Sequence, residues 1–186
     1  MFTTLRKYTD AVVGVLSGAA LCWLALGASG GAQLHETATK GFLIEKEVSV
    51  PLKPAAAFDA FTGDISPWWD HHFSQEPTRL MIEPRPGGHF VEAFDDAGNG
   101  VIHGLVTWSE RGKKLVIRGW LGPFHSTAGI MVHTFSFVPA ESGTKLKASI
   151  RMVGEFDAEA VRSIDRVWDH LLIERFKPYA ERRSNP

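Results

Sequence analysis

Between Lys145 and Met152 the chain alternates strictly: Leu146, Ala148, Ile150 and Met152 are apolar, whereas Lys145, Lys147, Ser149 and Arg151 are polar. Alternation of period two marks a strand with one dry face and one wet face. A one-sided sheet has to cover its apolar face, and only one segment is long enough to do so. From Ala158 to Arg182 the residues Val161, Ile164, Trp168, Leu171 or Leu172, and Phe176 recur at three- and four-residue spacing, the stripe of an amphipathic helix. Asp157 is placed to cap its start, and Pro178 to end or bend it near Lys177.

The rest of the chain supplies the sheet. Phe42, Ile44, Val48 and Val50 predict a first strand, stopped by Pro51 and Pro54, and Ala55 to Phe61 suits a small helix. Ser66-Pro67 opens a turn carrying Trp68 and Trp69. Arg79–Pro84, His89–Phe94, Val101–Trp108, Leu115–Leu121, Ile130–Val138 and Thr144–Val153 read as further strands, separated by links rich in turn residues. Links of hairpin length mean an antiparallel meander, not a parallel sheet with crossover helices. The expected fold is α+β: a curved antiparallel sheet of about six to seven strands, two short helices, and a long C-terminal helix packed across the sheet.

Residues 1–32 are a different material. Arg6 and Lys7 precede an uncharged run from Ala11 to Ala28, followed by Ser29, Gly30, Gly31 and Ala32. This is the pattern of a secretory signal peptide, cleaved after Ala32; the rival is an uncleaved anchor. Either way the domain is expected outside the cytoplasm, periplasmic or secreted, with a membrane partner only if the segment is retained. Residues 33–41 read as a linker and 42–183 as the domain. The sole cysteine, Cys22, lies inside the apolar run, so the cleaved chain has no thiol for disulfides, nucleophilic attack or metal ligation. A net charge of -1 without a basic block gives no footprint for nucleic acid.

This order of elements resembles the START-like, or SRPBCC, helix-grip superfamily. The wording is closest to its branch of activator of heat-shock protein 90 ATPase homologues, here in an exported form. The resemblance lies in Ser66-Pro67-Trp68-Trp69, in Glu83-Pro84-Arg85-Pro86-Gly87-Gly88-His89-Phe90, and in Gly119-Trp120-Leu121-Gly122-Pro123. Gly143-Thr144-Lys145-Leu146 and the helix carrying Trp168 and Leu171 also fit. It implies a cup holding a small hydrophobic molecule, lipid-like or aromatic, between sheet and helix. It implies no invariant catalytic residue, and the chaperone role transfers least to an exported chain; no cofactor is expected.

Seven of the eight histidines lie after Gly41. If Phe135 and Phe137 face inward, so do Met131 and His133, and His103 shares a strand face with Val101, Leu105 and Thr107. An inward histidine without a partner costs about 1–3 kcal/mol, so each is either a satisfied core residue or a polar handle bordering a cavity. Trp68, Trp69, Phe90, Trp120, Phe135 and Trp168 either close the core against one another or line a pocket. His71-His72 has no accompanying ligand pattern, so no metal is expected. Glu83, Arg85, Gly87 and Gly88 belong to a hairpin, where the glycines serve the turn.

Three functions fit these features. The first is a non-catalytic carrier or sensor of a small hydrophobic molecule. The second is a protein-interaction module akin to a co-chaperone, with an envelope protein as partner and an exposed apolar patch. The third is a cyclase- or hydrolase-like enzyme using pocket histidines, for which His133→Ala separates lost turnover from lost stability.

Overall fold

The computed structural model describes residues 40–184 apart from Leu121, with the side chains of residues 122 and 123 also left aside. The expected signal segment and most of the expected linker lie outside the described residues. Among the described residues, no helix is long and apolar enough to cross a membrane.

The chain runs β1 (Lys40–Val50), α1 (Pro54–Phe61), β2 (Gly63–Asp64), β3 (Arg79–Ile82), β4 (His89–Ala93), β5 (Gly100–Glu110) and β6 (Lys114–Arg118). A 3-10 turn (Gly122–Ser126), β7 (Gly129–Ala140) and β8 (Gly143–Gly154) come next. The closing helix has three parts: α2 (Ala158–Asp169), a π-helical segment (His170–Phe176) and α3 (Lys177–Ser184). All eight strands form one antiparallel sheet in the order β1-β8-β7-β6-β5-β4-β3-β2. This is the α+β helix-grip architecture: only β1, paired with the last strand along its full length, departs from a simple meander.

The alternation in β8 sets the sheet's inner face. Leu146, Ala148, Ile150 and Met152 are all buried, and Met131, His133, Phe135 and Phe137 of β7 lie beside them in register. Ile164, Trp168, Leu171, Leu172 and Phe176 of the closing helix cover this face. Asp157 caps α2 by accepting from the Ala160 N–H at 2.7 Å.

Five local details differ from the sequence expectation. The two-residue β2, paired with Ile82 and Met81, adds a strand too short to leave a periodic signal. β1 begins at Lys40, because strand pairing to Gly154 extends the edge beyond the apolar residues that betray it. β6 ends at Arg118, and the second short helix is the 3-10 turn rather than anything near Trp68. Pro178 does not end the helix. The preceding segment widens instead, with Lys177 N–H donating to the Leu172 carbonyl five residues back. That wider turn displaces the carbonyls with which the proline ring would otherwise collide.

Gly143 shows where glycine is obligatory. Its φ of 135° is closed to most side chains, and a Cβ there would run into the Val50 carbonyl where β1 meets the β7–β8 hairpin.

Candidate functional site

The inner face is filled unequally along its length. Toward α1 and the π-helical segment the core is solid aromatic packing. Phe61 lies 5.0 Å from Trp68, 4.7 Å from Phe135 and 5.1 Å from Phe176 between ring centres. Toward α2 the packing opens into a cavity of about 250 Å³. Met131, His133 and His103 form its floor on the sheet, and Ser163, Ile164, Val167, Trp168 and Leu171 its roof on the helix. Trp69, His71, His72 and Phe73 from the loop after α1, with Phe124 from the 3-10 turn, make up the remaining wall.

Trp168 divides the two regions. Its ring lies 5.5 Å from Phe135 on the packed side, 5.7 Å from His133 and 5.9 Å from Trp69. Of the residues singled out in the sequence, Trp69, His103, His133 and Trp168 therefore meet around one space. Phe90 and Phe135 border only a crevice of about 10 Å³ beside it. Trp68 is fully buried in the aromatic cluster, away from the cavity wall. Trp120 packs on Phe156 at 5.5 Å between ring centres and is not part of the wall either.

Two of these residues carry the cavity's polarity. His103 is 3% exposed and its Nε2 lies 3.0 Å from Glu92 Oε2. Glu92, itself without solvent exposure, accepts at Oε1 from the Phe73 and Ser74 N–H groups at 2.8 and 2.7 Å. One carboxylate thus ties the cavity's loop wall to its floor. Burial holds the His103 pKa below the usual histidine value, against the opposing pull of Glu92. His103 Nδ1 has no hydrogen-bond partner among the described residues. Neither nitrogen of His133 has one, and that ring is 1% exposed. Burial lowers the His133 pKa to about 4, against the opposing pull of the Gly119 backbone.

Sequence reasoning missed Glu92. It reads as a polar residue in an alternating strand, yet it is the acceptor on which the loop and His103 converge. A signal was present: in β4 the inward positions are Phe90 and Glu92, so period two alone places a carboxylate on the dry face. Asp70, the wall residue His71, and His170 also come together, with one ligand-type atom from each within 4.8 Å of the others. His170 Nε2 lies 2.9 Å from Asp70 Oδ2, and Arg175 Nε sits 3.0 Å from that same oxygen. The carboxylate already has a guanidinium partner, so the group works as an ion-pair cluster fastening the loop to the π-helical segment. Its hydrogen bonds to Asp70, and then to Glu174, raise the His170 pKa.

Sheet, helix and cavity define a helix-grip domain of the SRPBCC type. Within that class the chain belongs to the Activator of Hsp90 ATPase homolog 1-like protein family, whose model matches residues 51–181. No curated protein matches the chain. Among solved structures, it is similar to a protein of unknown function from Staphylococcus aureus, with 15% identity and a TM-score of 0.55, over 80% of this chain and 98% of that one. A protein from Mesorhizobium loti matches at 18% identity and a TM-score of 0.54, over 78% of this chain and all 100% of that one. An AHSA1-like protein from Aeromonas hydrophila matches at 15% identity and a TM-score of 0.52, over 77% and 94% of the two chains. At such identities the likeness speaks for the fold.

Proposed function

We propose that the domain binds a compact, largely apolar molecule in the cavity between α2 and the sheet, as a non-catalytic carrier or sensor. The observation that carries this reading is the cavity of about 250 Å³ itself, in a molecule whose inner face is otherwise solidly packed. A cavity of about 150 Å³ accepts benzene, so this one suits an aromatic of roughly ten heavy atoms better than a whole lipid. On the pattern of residues 1–32 we place this activity outside the cytoplasm. Native mass spectrometry of protein purified from its own host is the test, alongside titration with apolar aromatic probes. Protein that is reproducibly empty and takes up no probe refutes the reading. Val167→Trp, which fills the cavity from the helix side, is expected to abolish uptake while leaving the fold intact.

A protein-interaction module is the second reading, and the family match by its description speaks more directly for it than for a carrier. One structural observation supports it: Ile102, Leu105 and Trp108 expose apolar side chains along β5, with Lys114 Nζ 5.2 Å from the Trp108 ring centre. Exposed apolar stripes of this kind mark contact surfaces. Crosslinking in cells with Ile102→Lys and Trp108→Glu variants tests it. Loss of a specific adduct supports the interaction, and no adduct from the unaltered protein opposes it.

A further inference from the structure

We infer that the molecule held in the cavity is uncharged and carries a hydroxyl, a phenol or compact alcohol, which donates to His103 Nδ1. This rests on the reading of the cavity as a binding site and adds the chemistry of its occupant.

The argument begins at Glu92. Glu92 takes two backbone N–H groups on Oε1, so its carboxyl group works here as a hydrogen-bond acceptor. His103 Nε2, 3.0 Å from Oε2, must therefore be the protonated nitrogen, which leaves Nδ1 as a bare acceptor. Among the described residues nothing donates to it. Phe73 lies over the face of the ring, nearly parallel at 4° and 5.8 Å between centres. Hydrogen bonds to an imidazole nitrogen lie in the ring plane, and a stacked neighbour does not occupy that direction.

His133 adds a donor and an acceptor. As a neutral imidazole it offers one of each, both unpaired, from the same cavity floor. A hydroxyl is the small group that both donates and accepts, the two roles these unpaired nitrogens leave open. Buried polar groups in native structures are hydrogen-bonded as a rule, and three unpaired ring nitrogens on two residues of one cavity are an exception that asks for a partner. An anionic ligand fits poorly, since no lysine or arginine is among the residues lining the cavity. A carboxylate would be buried there without a cation.

The test compares 2-naphthol, naphthalene, 2-methoxynaphthalene and 2-naphthoate, titrated by calorimetry into the protein as purified from its host. The inference expects 2-naphthol to bind about fivefold or more tightly than naphthalene or the methyl ether, the worth of one neutral hydrogen bond, with the naphthoate weakest. Glu92→Gln gives the sharper result. Its amide oxygen can keep the two loop N–H groups while its NH₂ donates to His103 Nε2. The ring proton then moves to Nδ1 and the handle becomes a donor. The preference should shift toward 2-methoxynaphthalene, which a purely structural role for Glu92 does not predict. His103→Leu removes the acceptor and should level 2-naphthol with naphthalene. Equal binding of the three neutral probes, or naphthoate as the tightest, overturns the hydroxyl inference and leaves the cavity as an apolar site. Binding of none of the four overturns both. The ranking in the unaltered protein decides the matter even if a variant does not fold.

Discussion

Acidification sets a proton in water against a dry cavity floor. In the unfolded chain His133 titrates near the ordinary value of about 6.5. In the folded protein its pKa is lowered to about 4 by complete burial. A group whose folded pKa lies below its unfolded one stabilises the fold above the unfolded value and loses that contribution as pH falls toward the folded value. Between those two values the unfolded chain binds more protons, so stability falls with pH. Integrating this single site gives a loss of about 1 kcal/mol at about pH 5.5 and about 2.5 kcal/mol at about pH 4.5, relative to pH 7. His103 acts in the same direction, its pKa also being lowered by burial, so the raw pH dependence does not isolate either residue. The comparison that isolates His133 is urea unfolding of the unaltered protein and of His133→Leu at the three pH values. Leucine adds no polar group to the cavity floor and removes two unpaired nitrogens, so it should be neutral or stabilising at pH 7. The gap between the two proteins should widen by about 2.5 kcal/mol on going to about pH 4.5. Parallel pH profiles for the two proteins would refute the claim that His133 sits unpartnered and dry.

His170 should behave in the opposite sense: hydrogen bonds to Asp70 and Glu174 raise its pKa, so the loop–helix ion cluster is intact below the unfolded value and weakens as pH rises through the folded one. Imidazole signals followed by NMR should therefore show His170 with a midpoint above about 6.5 and His133 far below it. Trp168→Ala joins the cavity to the crevice beside Phe135 and should cost about 3–5 kcal/mol by chemical denaturation, whereas a cost under about 1 kcal/mol would mean that the indole does not divide the core. Thr144→Val removes the donor, at 2.6 Å, to the buried Leu52 carbonyl, and should cost about 1–3 kcal/mol on the same assay. Gly143→Ala should destabilise by about 2 kcal/mol or more, since φ is 135° and a Cβ meets the Val50 carbonyl.

The strands, the closing helix and the inward face of β7 were legible because burial imposes a period on the sequence. Met131, His133, Phe135 and Phe137 alternate with half-buried or exposed neighbours as period two demands, and Val161 to Phe176 keep the helical stripe. The widened turn before Pro178 was not legible: proline announces a disturbance, but whether the helix stops or deforms depends on the packing of Phe176 and Ala180, both without solvent exposure. β2 escaped for a different reason, since two residues carry no period.

Alternation and the helical stripe settle which faces are dry, and so which fold can bury them: a one-sided antiparallel sheet and one long helix to close it. Local spacing also placed His133 indoors, because alternation is a property of neighbours along one strand. His103, grouped by spacing with Val101, Leu105 and Thr107, is buried while Leu105 and Thr107 are exposed, because a register shift against β4 falls at that point. Whether those histidines border space was decided by the tertiary structure alone. Trp68 and Trp69 are adjacent in sequence, yet the first is core stacked on Phe61 and the second is cavity wall. The distance of α2 from the sheet makes that difference, and it is set by the joint packing of Trp168, Phe135 and Trp69 from three separate elements. The pairing of Glu92 with His103, and of Asp70 with His170 a hundred residues away, likewise exists only once the chain has folded. Periodicity records the burial of each residue, whereas a cavity is a residual among many burials that no single stretch of sequence contains.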